Sequence, residues 1–193
     1  MKHAERIAKT KETIQKNFMS LMAEKGYDRV TVTDIITRSE ISRGTFYLHY
    51  LDKDDLLQKI EGELLDYIGE HSDLNDHTVL DISPYEAITH TFDWLYENRE
   101  ILRILVSENG DPHFISKTSN LLMYRLHAMT RSPYRANKSA IPREYALDLY
   151  VTGYVRMIFD WLSQPLPEEP ATFTKYFLAS ENLTPAELFA MLK

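Results

Sequence analysis

All 8 prolines of this 193-residue chain lie at or after Pro84. The first 83 residues therefore hold no helix breaker and can run through several helices, whereas the later prolines punctuate the rest. Ile7, Ile14, Phe18, Leu21 and Met22 recur as one stripe of a period-3.6 helix. Gly26 ends that helix as a left-handed cap would. Thr31-Val32-Thr33-Asp34 reads as a cap with an acid at the third helical position, opening a short second helix that turns Val32, Ile35 and Ile36 inward. Ser42 then caps a third helix through Tyr50. Asp52-Lys53-Asp54-Asp55 opens a fourth, with acids in the turn where the helix dipole favours them.

Beyond His71 the stretch SDLNDHTVLDIS is a polar connection. Pro84 starts a helix with Ile88, Thr91, Phe92 and Leu95 on one side, and Ile101 to Val106 forms a short one ended near Asn109-Gly110. Another begins at Pro112, with Ile115, Thr118, Leu122, Leu126 and Met129 at helical spacing. Residues 131–141 read as a loop, and the longest apolar helix runs from Pro142 to near Ser163. Pro165 to Pro170 is a stiff connector, and Thr184-Pro185-Ala186-Glu187 repeats the cap pattern. No strand alternation persists and no internal repeat is found, so the fold class expected is all-α, with about nine or ten helices.

Composition removes whole classes of function. With no cysteine, the chain has no disulfide scaffold, cysteine nucleophile or thiolate metal site. No apolar run approaches the roughly 18 residues of a membrane span, and the charged start does not read as a secretion signal, so a cytoplasmic protein with no membrane partner is expected. None of the 6 glycines sits in a phosphate-cradling pattern. The net charge of −7 is uneven: residues 1–59 carry 11 Lys/Arg against 9 Asp/Glu, and the remainder is strongly acidic. The pattern is that of an anion-tolerant N-terminal module on an acidic body.

Residues 31–53 read TVTDIITRSEISRGTFYLHYLDK. Two short helices joined by a tight turn, the second with polar and aromatic residues outward, follow the helix-turn-helix plan. On a helical wheel Arg43, Gly44, Tyr47 and Leu48 share one arc, while Phe46 and Tyr50 face the core with Ile41. Gly44 lets the backbone come close to DNA. Arg43 suits guanine N7 and O6, and Leu48 a thymine methyl. Thr31, Thr33, Tyr47, His49 and Lys53 suit phosphate oxygens, the first through a helix N-terminus.

Three blocks in register, Thr-Val-x-Asp-Ile at 31–35, Ile-Ser-Arg-Gly-Thr-Phe-Tyr-x-His-Tyr at 41–50 and Asp-Lys-x-x-Leu-Leu at 52–57, resemble the DNA-binding domain of the TetR family of transcriptional regulators. The resemblance covers about the first 60 residues. It implies a homodimer, a palindromic double-stranded DNA operator and a C-terminal domain that senses a small molecule. Carried over, it places Thr31 and Thr33 at the phosphate-facing cap, Ser42, Arg43, Gly44, Thr45 and Tyr47 at the reading helix, and His49 and Lys53 at backbone clamps. Three residues depart from the pattern. Glu40 stands where the family has glycine in the turn, so either the turn is not left-handed or it costs about 1 kcal/mol. Ile36 replaces a small alanine, and Leu48 a commonly polar residue.

The expected division is a helix-turn-helix DNA-binding domain over residues 1–52 and a larger helical ligand-sensing and dimerisation domain over 53–193. The helix from Pro142 is apolar almost all round, more than one core can cover. A two-fold dimer is therefore expected through 142–163 and a segment near 171–192, using Leu147, Tyr150, Val151, Tyr154, Ile158, Phe177 and Leu188. A ligand cavity is expected among the middle helices, lined by some of Tyr67, Phe92, Trp94, Tyr96, Phe114, Met123, Tyr124, His127 and Trp161. The stretch His71 to His77 has metal-like composition but equally that of a polar loop, and neither a metal nor another cofactor is expected. No Ser/His/Asp set or carboxylate pair can be placed at one point, so the chain is not expected to be an enzyme. The reading is a DNA-binding regulator, a repressor released by a small molecule. The alternatives are a constitutive or partner-controlled regulator, and a helical enzyme or scaffold that does not bind DNA.

Overall fold

The computed structural model describes residues 2–71, 84–129 and 141–180, with isolated positions 187, 190 and 191. Among the described residues there are nine α-helices and no strand. Helix α1 (Lys2–Lys25) is followed by a 3-10 turn (Tyr27–Arg29), then α2 (Val32–Ser39), α3 (Arg43–Tyr47) and α4 (Lys53–His71). The body continues with α5 (Pro84–Glu97), α6 (Arg99–Val106), α7 (Phe114–Met129), α8 (Arg143–Ser163) and α9 (Pro170–Ser180).

Of the stripe expected on α1, Ile14, Phe18, Leu21 and Met22 are buried, whereas Ile7, near the start of the helix, is exposed. Ile14, Phe18 and Met22 have no exposed surface and meet Val30, Ile35, Phe46 and Leu56 from the next elements. Each such side chain contributes about 1.5–3 kcal/mol of transfer free energy, which is what holds five-residue α3 in place despite its length. Gly26 does close α1, but with φ 80 and ψ 148 it lies outside the left-handed helical region the sequence suggests. The positive φ still favours glycine. The 3-10 turn after it has no apolar period of its own and is fixed from outside: Tyr27 N–H donates to the Asn109 carbonyl at 3.0 Å.

The same buried apolar cluster continues through the body. Phe92 of α5 packs edge-on against Phe173 and Phe177 of α9, and Trp161 of α8 stacks on Phe173 at 4.0 Å. Phe114 and Phe159 join α7 to α8. Gly110 ends the α6 connection because a Cβ there would collide with the Ile104 and Leu105 carbonyls.

Helix α4 packs against α7. Its Glu61, buried among apolar neighbours, accepts from Lys117 of α7 at 2.6 Å, and Lys117 also donates to Asp111 at 2.7 Å. Burial pushes the Glu61 carboxyl above its ordinary value, and Lys117 opposes the rise. Residues 72–83 and 130–140, and with them most of the His71–His77 stretch and the expected loop, lie outside the described residues, as do Thr184 to Ala186 and Leu188.

Candidate nucleic-acid interface

The interface starts from a helix end. Thr31 accepts the Asp34 backbone N–H at 3.2 Å, and Asp34 accepts the Thr31 backbone N–H at 2.8 Å, a reciprocal capping box. Lys25 reaches Asp34 at 2.7 Å. The hydrogen bond from Lys25, then those from Thr31, hold the Asp34 carboxyl at about 2, so it stays ionised where α2 begins.

Helix α2 ends at Glu40, which adopts φ 53 and ψ 40, the left-handed conformation. Its N–H returns to the Thr37 carbonyl at 3.3 Å. The turn is thus the one glycine would make, imposed on a residue with a Cβ. Two residues later Ser42 caps α3, accepting the Thr45 N–H at 3.0 Å. The helix is regular only to Tyr47, although Tyr50 N–H still reaches the Phe46 carbonyl. The expected run through Tyr50 therefore survives as a turn rather than as helix.

Phasing around α3 follows the wheel. Phe46 and Tyr50 are buried, and Ile41 is half-buried against the core. Arg43 and Gly44 are exposed, Tyr47 is 49% exposed and Leu48 81%. Burial pushes the Tyr50 phenol up to about 12, so it is neutral at working pH and acts in packing. Ring contact between Phe46 and Tyr47 at 5.4 Å steadies the outward phenol. Arg43 donates to Thr33 Oγ1 at 3.2 Å, holding the guanidinium against α2 across the turn. Thr45 and His49 are half-buried, and Thr31, Thr33 and Ser42 are exposed.

Lys53 is placed differently from a fully extended clamp. Its ammonium donates to the Tyr27 and Asp28 carbonyls at 3.0 and 3.3 Å and lies 4.3 Å from the Tyr27 ring centre. Tyr27 in turn donates to Asp54. An ammonium has three donors, so this arrangement leaves one for a phosphate and fixes the head's position for it.

Sequence reasoning passed over residues on α1. A groove of about 680 Å³ runs between α1 and α3, lined by Arg6, Ile7, Thr10 and Lys11 on one side and Thr45, Leu48 and His49 on the other. The basic balance of the first segment was the available signal. It could not say which cations would stand beside α3, because that depends on how α1 crosses it.

The aromatic residues expected to line a cavity separate into three settings. Phe92, Phe114 and Trp161 are committed to the packed core, and Trp161 also donates to the Glu168 carbonyl at 3.0 Å. Tyr124 is a correction: it is 75% exposed, on the outer side of α7. Tyr96 stacks near Trp161 and carries the Arg99 guanidinium over its ring, while Tyr67 and Trp94 stack at 3.7 Å and Trp94 lines a cleft against α1. Met123 is half-buried, and the His127 side chain lies outside the described ones.

The expected pairing residues also need correction. Val151 and Phe177 are buried within the chain and cannot meet a partner unless the core opens, whereas Tyr154, packed on Phe177 at 4.6 Å, is half-buried. Leu147 and Ile158 are half-buried. Of the expected set Tyr150 does face outward, and the apolar surface of α8 around it is Tyr145 (70% exposed) and Leu149 (75%), with Tyr176 of α9. Around Gly153 nothing stands within 4 Å of where a Cβ would be.

An all-α chain with α2 and α3 both capped, α3 short and facing outward, and further helices packed behind them defines a helix-turn-helix regulator. Comparison with known proteins agrees. Residues 19–60 match the model of bacterial regulatory proteins of the tetR family, and residues 83–180 match that of a transcriptional regulator C-terminal region. The chain belongs to the TetR family of transcriptional regulators. It is 33% identical over 131 residues to the uncharacterized HTH-type transcriptional regulator YxbF of Bacillus subtilis, a match covering 65% of this chain and 34% of that protein. It is 34% identical over 65 residues to the dhaKLM operon transcriptional activator DhaS of Lactococcus lactis, covering 33% of this chain and 35% of that one. The matches thus span about a third of these relatives' length. A TetR transcriptional regulator from Streptococcus agalactiae superposes with a TM-score of 0.64 at 26% identity, over 93% of this chain and 97% of that one. Among the described residues no helix is long and apolar enough to cross a membrane.

Proposed function

We propose that this chain is a sequence-specific DNA-binding transcriptional regulator that works as a two-fold homodimer and, as a repressor, is released from a palindromic operator by a small molecule. The observation that carries it is the outward arc of α3, Arg43, Gly44, Tyr47 and Leu48, held by the Ser42 cap and by buried Phe46 and Tyr50. That arc is short enough for a major groove and polar enough to read it. Arg43 reads a base, and Leu48 meets a thymine methyl. The α2 N-terminus with Thr31 and Thr33, together with Thr45, Tyr47, His49 and Lys53, engages phosphates. Arg6 and Lys11 add charge along the same side.

The division falls between residues 1–52 and 53–193, with α4 as the connecting strut. Two reading helices must stand about 34 Å apart or a multiple of it, and the exposed α8 surface of Tyr145, Leu149 and Tyr150, with Tyr176, is the pairing surface that sets this spacing. The activator DhaS among the relatives supports a second reading, in which bound protein recruits rather than blocks transcription. Titration of labelled DNA from upstream of its own gene, followed by anisotropy at several salt concentrations, tests the proposal. Binding tighter than about 10⁻⁷ M that weakens linearly in log salt is expected. Failure to bind at low salt rejects it, and transcription from the same fragment in vitro separates repression from activation.

A further inference from the structure

We propose that the cleft between α1, α4, α5 and α6 is a binding site for an amphipathic organic cation, an amine or quaternary ammonium on an aromatic or branched apolar body. The cleft, open to solvent along its rim, has a volume of about 770 Å³, within the size range of small-molecule sites. Its floor is apolar: Met19, Ile60 and Leu64 are almost fully buried, and Ile101 and Ile104 stand half-buried beside them. Trp94 forms a wall, its indole fixed by stacking on Tyr67 at 3.7 Å. A rigid indole at the edge of an apolar floor is a good seat for a cation.

The rim supplies the charge. Glu12, Glu24, Glu63 and Glu100 line the cleft, against Lys16 as the one cation among the described lining residues. Glu24 is spent on Arg38, which it meets with both oxygens. Glu63 accepts a long bond from Gln15 at 3.4 Å, and Glu100 stands 3.8 Å from Arg99 and Arg103. Glu63 is therefore loosely held, Glu100 shares its charge with two guanidiniums, and both carboxylates line the same cleft as the indole, where an anionic ligand would meet them. A molecule in the cleft touches α1 of the reading head and α5 and α6 of the body at once. Its occupancy thereby bears on how the head is held, a step that deepens, and for its effect on DNA rests on, the ligand-released reading.

Calorimetric titration of the full chain with benzyltrimethylammonium, neutral 2-phenylethanol and anionic phenylacetate tests the site. One saturable event per chain is expected for the cation, with dissociation below about 1 mM, and much weaker binding for the other two. Glu63→Gln with Glu100→Gln should weaken the cation about tenfold, and Trp94→Leu about fivefold. Lys16→Gln should tighten it about threefold, a change of opposite sign that loss of folding cannot mimic. No saturable binding up to about 10 mM, equal binding of phenylacetate, or affinities unmoved by these substitutions would overturn the proposal. The same cation is then added to the complex with upstream DNA. Release supports both readings; saturable binding without release keeps the site and contradicts ligand release.

Discussion

Glu40 holds a left-handed backbone on a residue with a Cβ, a conformation glycine would take without that strain. Glu40→Gly should raise stability by about 0.5–1 kcal/mol, the left-handed penalty less the entropy glycine adds to the unfolded chain. Denaturant unfolding measures this, and the variant should also bind non-specific DNA more tightly, since an acid leaves the phosphate-facing side. Arg43 and Lys53 separate two roles. Arg43→Ala should cost about 1–3 kcal/mol and relax preference at one operator base, whereas Lys53→Ala should weaken all sequences alike and lower the salt slope by about 1. Because Lys53 also binds the Tyr27 and Asp28 carbonyls, its variant should in addition lose some thermal stability. Competition titrations across single-base operator variants check both. The hydrogen bond from Arg43 to Thr33 was beyond sequence reasoning, because it crosses the turn and depends on the angle between α2 and α3.

At the scale of elements, caps were the most legible feature. Thr31 with Asp34 and Ser42 with Thr45 are local patterns, fixed by residues three apart, and both form as their spacing implies. Asp52 likewise caps α4, accepting the Asp55 N–H at 2.8 Å. Faces were less legible. An α8 apolar nearly all round gives no phase, so sequence could not decide that Val151 turns inward and Leu149 outward; the packing of α8 against α6 and α7 decides it. The capping box also predicts a pH dependence. The Asp34 carboxyl is held at about 2, below the roughly 3.9 of an unfolded chain, chiefly by its hydrogen bond from Lys25. Its contribution is therefore full above about pH 4 and is lost as pH falls towards 2. Thr31→Ala should cost about 1 kcal/mol at neutral pH, and Asp34→Asn should flatten the acid side of the stability curve in that window. Unfolding followed by circular dichroism from pH 2 to 7 reads both.

For the whole molecule, the helical content and the helix starts at the later prolines were legible in sequence, whereas the partition of aromatics between core and cleft was not. Phe92, Trp94 and Trp161 look alike in sequence; only packing puts the first and third in the core and the second at an edge. Pairing belongs to this scale too. Sedimentation equilibrium at micromolar concentration should give a dimer, and Leu149→Arg should give a folded monomer with DNA affinity reduced at least tenfold, since each half-site then binds alone. A Leu149→Arg protein that remains dimeric would move the interface elsewhere. Hydroxyl-radical footprinting of the full chain on DNA upstream of its own gene bears most directly on the central claim, that two copies of α3 lie in successive major grooves. The account predicts two protected patches of equal size, related by sequence symmetry and centred about 34 Å or a multiple apart, with protection lost in Arg43→Ala, Tyr47→Ala protein. A single unpaired patch, no protection at low salt, or a footprint unchanged in that variant would contradict it.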